Sequence, residues 1–493
     1  MPIALGRPCP IILRKQTFAH CLVVVAACWS WPVRGLWNEI QSLVTSAAAN
    51  SDRSIAIIGA GMFGVTAAIE LRRRGWTVSL FEPGPIPRDT AASTDISKVV
   101  RMDYGADEFY TALGEVALVG WDLWNAQWGG RLYHEDGFLL LSRSPMQPGG
   151  QTTVDAGKTR EVVEVPLTRP AGTLSPSDGE REGVRGRTSS PRSSFSQSSE
   201  EGGGSFEWES FNLLQARGHR LERMTSHQLK ERHPAWISDN YPDGYFNPRG
   251  GWAESGKVVA RLAAEVRALG VNVHEGAAFG RLLENGSRVV GIVTTDGAEH
   301  RADCVLVAAG AWTPTLLPHL ADVMWATGQP VLHFSAPNLE DYTAPKFPVW
   351  AADIARTGWY GFPALPDGTL KIANHGPGRR VHPDEPRTVL PAEEQRFREF
   401  LRDSLPGLAE APVIGSRLCL YCDTADGDFW IDHDPQRAGL IVAAGDSGHA
   451  FKFAPVMGGL IADVVERKPN PFTKRFAWRS AGPGARESAR CRA

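Results

Sequence analysis

Two cysteines three positions apart, Cys419 and Cys422 in RLCLYCDTADGDF, stand out in a chain with seven cysteines among 493 residues. A C-x-x-C pair admits three kinds of chemistry: a redox dithiol, half of a zinc site, or two thiols with separate roles. A zinc site needs two further ligands. Neither Cys304 nor any clustered histidine pair has the spacing to supply them, so no metal is expected. The remaining cysteines, Cys9, Cys21, Cys28 and Cys491, lie near the two ends. That is no disulfide framework, and it favours a reducing compartment.

A second chemical signal is Gly59-Ala60-Gly61-Met62-Phe63-Gly64, a G-x-G-x-x-G that follows an apolar strand pattern at 55–58 and opens a helix pattern. Gly59 permits the tight turn, Gly61 lets a pyrophosphate approach the backbone, and Gly64 lets the helix pack close to the strand. Glu82, at the end of the next strand pattern, is placed to accept from a ribose hydroxyl and argues against a 2'-phosphate. The stretch binds a dinucleotide. No uninterrupted doubly wound sheet follows, as it would in a nicotinamide enzyme. Instead STDISKVVRMDYG comes at once, and two further glycine turns arrive much later, at Gly310 and Gly445. This layout indicates FAD held by a split domain.

The elements that must position these residues define an α/β fold. It is a Rossmann-like FAD-binding domain assembled from separated segments, with an inserted α+β substrate domain built on an antiparallel sheet. The length implies more than one core. The FAD-binding segments are expected at 52–105, 245–328 and 412–475, and the substrate segments at 106–146, 206–244 and 329–411. Residues 1–51 read as a disordered leader, with an apolar run CLVVVAAC too short to span a bilayer. Residues 147–205, rich in Pro, Gly, Ser, Arg and Glu, read as a disordered insertion, and 476–493 as a disordered tail. A net charge of −3 gives no support for nucleic acid or an anionic membrane as partner.

Four blocks, in order from Ser54 to Glu466, resemble the sarcosine oxidase family of flavin amine oxidases, which includes pipecolate oxidase and the fungal saccharopine and fructosyl amino acid oxidases. Lys98-Val99-Val100-Arg101-Met102-Asp103-Tyr104-Gly105 is similar to the family's R-x-x-R-x-x-Y-G, which implies that Arg101 pairs with the substrate carboxylate. Tyr360-Gly361-Phe362-Pro363 with Lys371-Ile372-Ala373-Asn374-His375 resembles Y-G-F-P…L-K-x-x-x-H. The implication is that Lys371 promotes reaction with dioxygen while Tyr360 and His375 line the substrate pocket. Arg417-Leu418-Cys419-Leu420-Tyr421 resembles R-x-C-x-Y/W, implying that Cys419 is bonded to the flavin and Tyr421 encloses the substrate. Gly445-Asp446-Ser447-Gly448-His449-Ala450-Phe451-Lys452-Phe453 is close to G-x-S-G-x-G-F-K-F/Y. It implies flavin contacts from Gly445, Ser447 and Gly448 and a second carboxylate cation in Lys452.

The departures from the pattern bear on the substrate. Thr94 stands where sarcosine oxidases carry a histidine, and Ser93-Thr94-Asp95-Ile96-Ser97-Lys98 resembles the S-x-D-x-x-K of the saccharopine and fructosyl amino acid oxidases. Asp423-Thr424-Ala425-Asp426 is similar to their D-T-x-D, and Ala450 replaces a usual glycine. The resemblance implies that FAD, covalent through Cys419, oxidises a small secondary amine to an imine and that dioxygen becomes hydrogen peroxide. A flavin dehydrogenase with another acceptor and a fructosyl amino acid oxidase are the alternatives. The expected protein is a monomer of the cytoplasm or peroxisome, although the C-terminal RCRA is not an S-K-L type signal.

Overall fold

The computed structural model describes residues 53–147, 205–480 and 490–491. The expected leader, and all but the two end residues of the expected insertion, lie outside the described residues. The segment SIAIIGAGMFGVTAAIELRRRGWTVSLFE forms the strand Ser54–Ile58, the helix Met62–Arg73 and the strand Thr77–Glu82. The two strands pair in parallel. Their apolar runs are buried on both faces, as a sheet covered by helices requires.

Three further parallel strands complete the sheet: Asn272–Glu275 beside Thr77–Glu82, then Cys304–Val307 and Leu440–Ala444 on the other side of Ser54–Ile58. An antiparallel strand, Trp430–His433, closes the edge. Ordered by chain position the parallel strands run 3-2-1-4-5, the doubly wound arrangement whose ligand crevice lies outside the carboxyl ends of the strands. The segments that supply them are far apart in the chain, so the split domain read from the glycine turns is the one observed.

A second sheet of nine strands forms the other layer. It is antiparallel except where Val349–Ala352 runs parallel to Phe138–Ser142. Two long strands dominate it, Met324–Ser335 and Val413–Thr424, paired over most of their length. This pairing moves three expected boundaries. A break at 328/329 falls inside Met324–Ser335, and one at 244/245 falls inside Asp243–Asn247, which pairs with Phe138–Ser142. Residues 413–424, expected with the dinucleotide-binding segments, belong to the large sheet. Their apolar run from Leu418 to Cys422 suits a buried strand, but the partner opposite Cys419 is Gln329, ninety residues earlier, and nothing local encodes that choice.

The expected tail also differs. Phe476 is fully buried against Phe109, Tyr110 and Phe429. Arg479 donates to Asp426 at 2.6 Å and to the Phe429 carbonyl at 3.0 Å. Further on, Arg490 donates to Asp423 from two nitrogens, one of them at 2.7 Å. Acidic residues at the end of the strand Val413–Thr424 and in the loop after it give these arginines their partners, so the segment docks despite its polar composition. No helix among the described residues is long and apolar enough to cross a membrane.

Phe476→Ala is therefore expected to lower stability by about 3–5 kcal/mol, the usual cost of emptying a buried aromatic site. Chemical unfolding of the wild type and the variant measures it; a truly disordered tail would give no change.

Candidate active site

The first helix of the dinucleotide fold begins without a cap. Gly61 occupies the N-cap position with no side-chain hydrogen bond, and no acidic residue lies in the first turn. The free N–H groups and the helix dipole are thus left for an anion. Gly59 has φ of +98°, and a Cβ there would meet the Ala308 carbonyl oxygen at 2.5 Å. At Gly64 a Cβ would sit 1.8 Å from the Gly59 oxygen, whereas at Gly61 the nearest atom would be Ser93 Oγ at 3.5 Å. Packing therefore requires glycine at 59 and 64, while Gly61 faces open space.

That space is a cavity of about 310 Å³, walled by Gly59, Gly61, Glu82, Gly310, Tyr421 and Gly448 among others. Glu82 accepts from the Ala60 N–H at 2.8 Å, and Arg88 stands 3.4 Å from its other oxygen. Burial pushes the Glu82 carboxyl up, and those two contacts oppose the shift. An uncapped helix N-terminus, a wall of glycine backbone and a buried acceptor at the end of the second strand suit the pyrophosphate and ribose of a dinucleotide.

A smaller cavity of about 60 Å³ adjoins it. Arg101, Tyr360, His375, Tyr421, His449 and Lys452 line it, and Lys98, Tyr421, Gly448 and Phe451 belong to both walls. Arg101 and Lys452 are both buried and meet around Tyr104. The Arg101 guanidinium lies 4.7 Å from the Tyr104 ring centre, and Lys452 Nζ donates to Tyr104 Oη at 2.9 Å and to the His449 carbonyl at 2.7 Å. His449 Nε2 is 3.0 Å from the Gly427 carbonyl, which can only accept, so Nε2 carries the proton. Nδ1 then accepts from Tyr104 Oη at 3.1 Å, leaving that oxygen free to accept from Lys452. Tyr104 and His449 both hold the ammonium.

Tyr360 is partly buried and His375 buried; the His375 and Tyr421 rings lie 5.7 Å apart. Burial raises the Tyr421 hydroxyl well above the usual range, with Tyr360 and Cys419 adding to the rise. Gly448 is required by Tyr421, because a Cβ would meet the ring at 2.2 Å.

The strand Val413–Thr424 separates the two cysteines. Residues three apart on a strand point to opposite faces. Cys419 clusters with Tyr421, Ala92 and Tyr360, whereas Cys422 is buried among Met324, Trp430 and Leu440. Burial raises the Cys422 thiol well above its usual range. A shared redox or metal role is excluded by this geometry, and no metal-binding cluster occurs among the described residues. Cys419 Sγ lies 3.6 Å from Lys98 Nζ.

Lys371 and Cys419 are on neither cavity wall; both lie against the segment 95–98. The Lys371 ammonium donates to Asp95 Oδ2 and to the Ser97 carbonyl, each at 2.6 Å, and sits 4.7 Å from the Phe362 ring centre. Burial pushes Lys371 down to about 8, with Asp95 opposing and Lys98 adding to the fall. Gly445 and Ser447 are on neither wall either. The Ser447 hydroxyl accepts from the Thr424 N–H at 3.3 Å and its N–H donates to the Cys422 carbonyl at 3.0 Å, so this turn fastens the loop to the strand. Asp446, between them, does reach the large cavity. Burial pushes it up to about 6, against hydrogen bonds from the Cys422 and Gly448 N–H groups.

Sequence reading assigned no role to Asp95, Asp446 or the Tyr104–His449 pair. Asp95 had a signal, three residues before Lys98 in S-x-D-x-x-K; the others become visible only when distant segments meet.

Fold and cavities together define a dinucleotide-binding protein with a small pocket, lined by buried cations, beside its cofactor cleft. Residues 54–464 match the profile described as FAD dependent oxidoreductase, and the chain belongs to that family, within its sarcosine oxidase group of FAD-dependent amine oxidoreductases. It is 26% identical to L-saccharopine oxidase of Schizosaccharomyces pombe, over 89% of this chain and 96% of that protein. It is 27% identical to monomeric sarcosine oxidase of a Bacillus species, over 83% and 91% of the two chains. The fold is shared with fructosamine oxidase (Amadoriase II) of Aspergillus fumigatus, at 22% identity and a TM-score of 0.68 over 90% of this chain and 95% of that one.

Two glycines separate packing from binding. Gly64→Ala is expected to destabilise the fold by about 1–3 kcal/mol or more, as overpacking does. Gly61→Ala leaves the unfolding midpoint in place and weakens FAD retention. Unfolding curves and flavin content of both variants measure the contrast.

Proposed function

We propose that this enzyme oxidises a secondary amino acid, N-methyl, cyclic or otherwise N-substituted, to the imine, and that dioxygen accepts the electrons. The observation that carries this reading is the convergence of Arg101 and Lys452, from opposite ends of the chain, on one small cavity that shares its wall with the dinucleotide cleft. A planar guanidinium and a fixed ammonium are the pair that recognises a carboxylate. The names of the saccharopine and sarcosine oxidases point to the same substrate class.

When bound, FAD supplies the two-electron chemistry: hydride taken from the carbon next to nitrogen, and electrons passed on so that dioxygen with two protons becomes hydrogen peroxide. The chain's own residues do the rest. Arg101 and Lys452 hold the carboxylate, which turns the amine toward the shared wall at Tyr421 and Gly448. Tyr360, Tyr421 and His375 enclose the nitrogen. Desolvation in this pocket, together with two nearby cations, favours the neutral amine, so no separate base is needed. Lys371 serves dioxygen by placing a buried positive charge where negative charge develops. Cys419 is the covalent tether. It shares its strand face with Tyr421, and the Lys98 ammonium stands 3.6 Å from its sulfur.

Lys371→Met is expected to slow peroxide formation by about 10²-fold or more while substrate still reduces the enzyme anaerobically. Stopped-flow mixing of reduced enzyme with air-saturated buffer measures it. Unchanged reoxidation would remove Lys371 from the reading, and oxygen-insensitive turnover would make the enzyme a dehydrogenase.

Acid precipitation tests the tether. Yellow colour is expected to stay with wild-type and Cys422→Ser protein and to leave Cys419→Ser. Colour lost from the wild type would show that the flavin is not covalently held.

A further inference from the structure

Asp95 is a buried charge that the reading above leaves without a task. Its backbone is clamped to the dinucleotide-binding side of the molecule. The Asp95 carbonyl accepts from Ser255 Oγ at 2.8 Å and from the Gly256 N–H at 2.9 Å, at the start of the helix Ser255–Ala268. Its side chain crosses to the other layer, where Oδ2 meets Lys371 of the large sheet at 2.6 Å. Both side chains are almost wholly out of solvent, at 1% and 2% exposure. The carboxylate is therefore a bridge between the layers, and it ends on the ammonium assigned to dioxygen.

We propose that Asp95 is a positioning residue for Lys371: it fixes the ammonium against the segment 95–98 and keeps it a cation at neutral pH. This rests on the reading that Lys371 serves dioxygen. The charged and titratable groups facing the pair are few. Lys98, on the same segment, stands 3.9 Å from the carboxylate. His333, opposite Lys371 in the sheet register, places Nε2 3.7 Å from Oδ1. Arg417 and Cys419 face it from the strand Val413–Thr424.

The balance of these groups explains why the carboxylate matters. Burial penalises the lysine charge most and already lowers it to about 8, and Lys98 pushes the same way; the Asp95 carboxylate is the main group holding it up. Burial penalises the Asp95 charge too, but Lys371, His333, Lys98 and Arg417 outweigh it and hold the carboxyl well below its usual range. The pair thus stays ionised with the proton on lysine. Removing the carboxylate leaves an ammonium that burial and Lys98 both drive toward the neutral form. Its titration then moves to lower pH, and the cation is lost at pH values where the wild type keeps it.

The test follows reoxidation of anaerobically reduced enzyme by dioxygen from about pH 6 to about pH 10, beside reduction by substrate. In the wild type the reoxidation rate falls as pH rises through about 8. In Asp95→Asn the falling limb is expected to move down by about one unit or more, approaching the Lys371→Met rate at pH 8. The loss falls on reoxidation rather than on reduction by substrate, and Asp95→Glu restores the limb. A wild-type limb in Asp95→Asn overturns the proposal. So does a pH-independent loss shared by both half-reactions, which marks a merely structural residue.

Urea unfolding supplies a readout apart from turnover. Asp95→Asn/Lys371→Met is expected to unfold at a higher midpoint than Lys371→Met, which strands a buried carboxylate. Additive losses overturn the pairing. If Lys371→Met reoxidises like the wild type while the urea coupling holds, the failure lies in the oxygen role of Lys371 and the positioning pair stands.

Discussion

The close approach of three backbone segments at Gly59, Gly64 and Ala308 is the constraint on which the rest of the molecule depends. With the Gly64 Cα so near the Gly59 carbonyl, and Gly59 so near that of Ala308, no side chain fits at either glycine. This contact seats the first helix on the sheet and aims its uncapped N-terminus along the crevice. The strands Ser54–Ile58 and Cys304–Val307, adjacent in the sheet but some 250 residues apart in the chain, are locked at the same point. The large cavity is what remains when the backbone is this tight on one side and Gly61 leaves the other side open.

On that frame the second sheet contributes its reactive groups through parity. Along Val413–Thr424 the odd positions Cys419 and Tyr421 share one face, and Tyr421 lines both cavities, while Leu418 and Leu420 pack against Ala311 and Ala326, and Cys422 enters the core beneath the dinucleotide fold. The C-x-x-C spacing that first drew attention is thus what divides the two thiols. On a helix the same spacing would place both on one face, so the chemistry of the pair could not be decided before the strand was known.

How far the sequence could be read follows from what is local. The strand, glycine turn, helix, strand and acid of residues 54–82 announce themselves because each feature is a neighbour of the next, and Glu82 falls where that logic puts it. Arg101 and Lys452 were reached through resemblance of short blocks, and the structure brings both to one pocket. Other features rest on long-range pairing, which leaves no local trace: the membership of residues 413–424 in the large sheet, the docking of Phe476, and the Tyr104–His449–Lys452 chain. Gly445 and Ser447 line neither cavity; Ser447 fastens its turn to Thr424 and Cys422, while the neighbouring Asp446 and Gly448 reach the large one.

Burying charge is costly, and this site buries it in both signs: Arg101, Lys371 and Lys452 are cations, while Asp103 and the carboxyl groups of Asp95 and Asp446 are acids. The two sets are not simply matched. Asp103 accepts from Tyr245 Oη at 2.6 Å and from Asn247, and its burial still raises it. The groups holding Lys452 at Tyr104 and His449 are neutral. Lys371 has a close carboxylate, Asp95, at 2.6 Å. On the proposed reading Lys371 meets dioxygen, which arrives neutral and acquires charge only during reaction, so this cation must remain protonated beforehand in apolar surroundings. A permanent partner is the physical means of doing that, and Asp95 provides it at the expense of some of the field that Lys371 would otherwise exert.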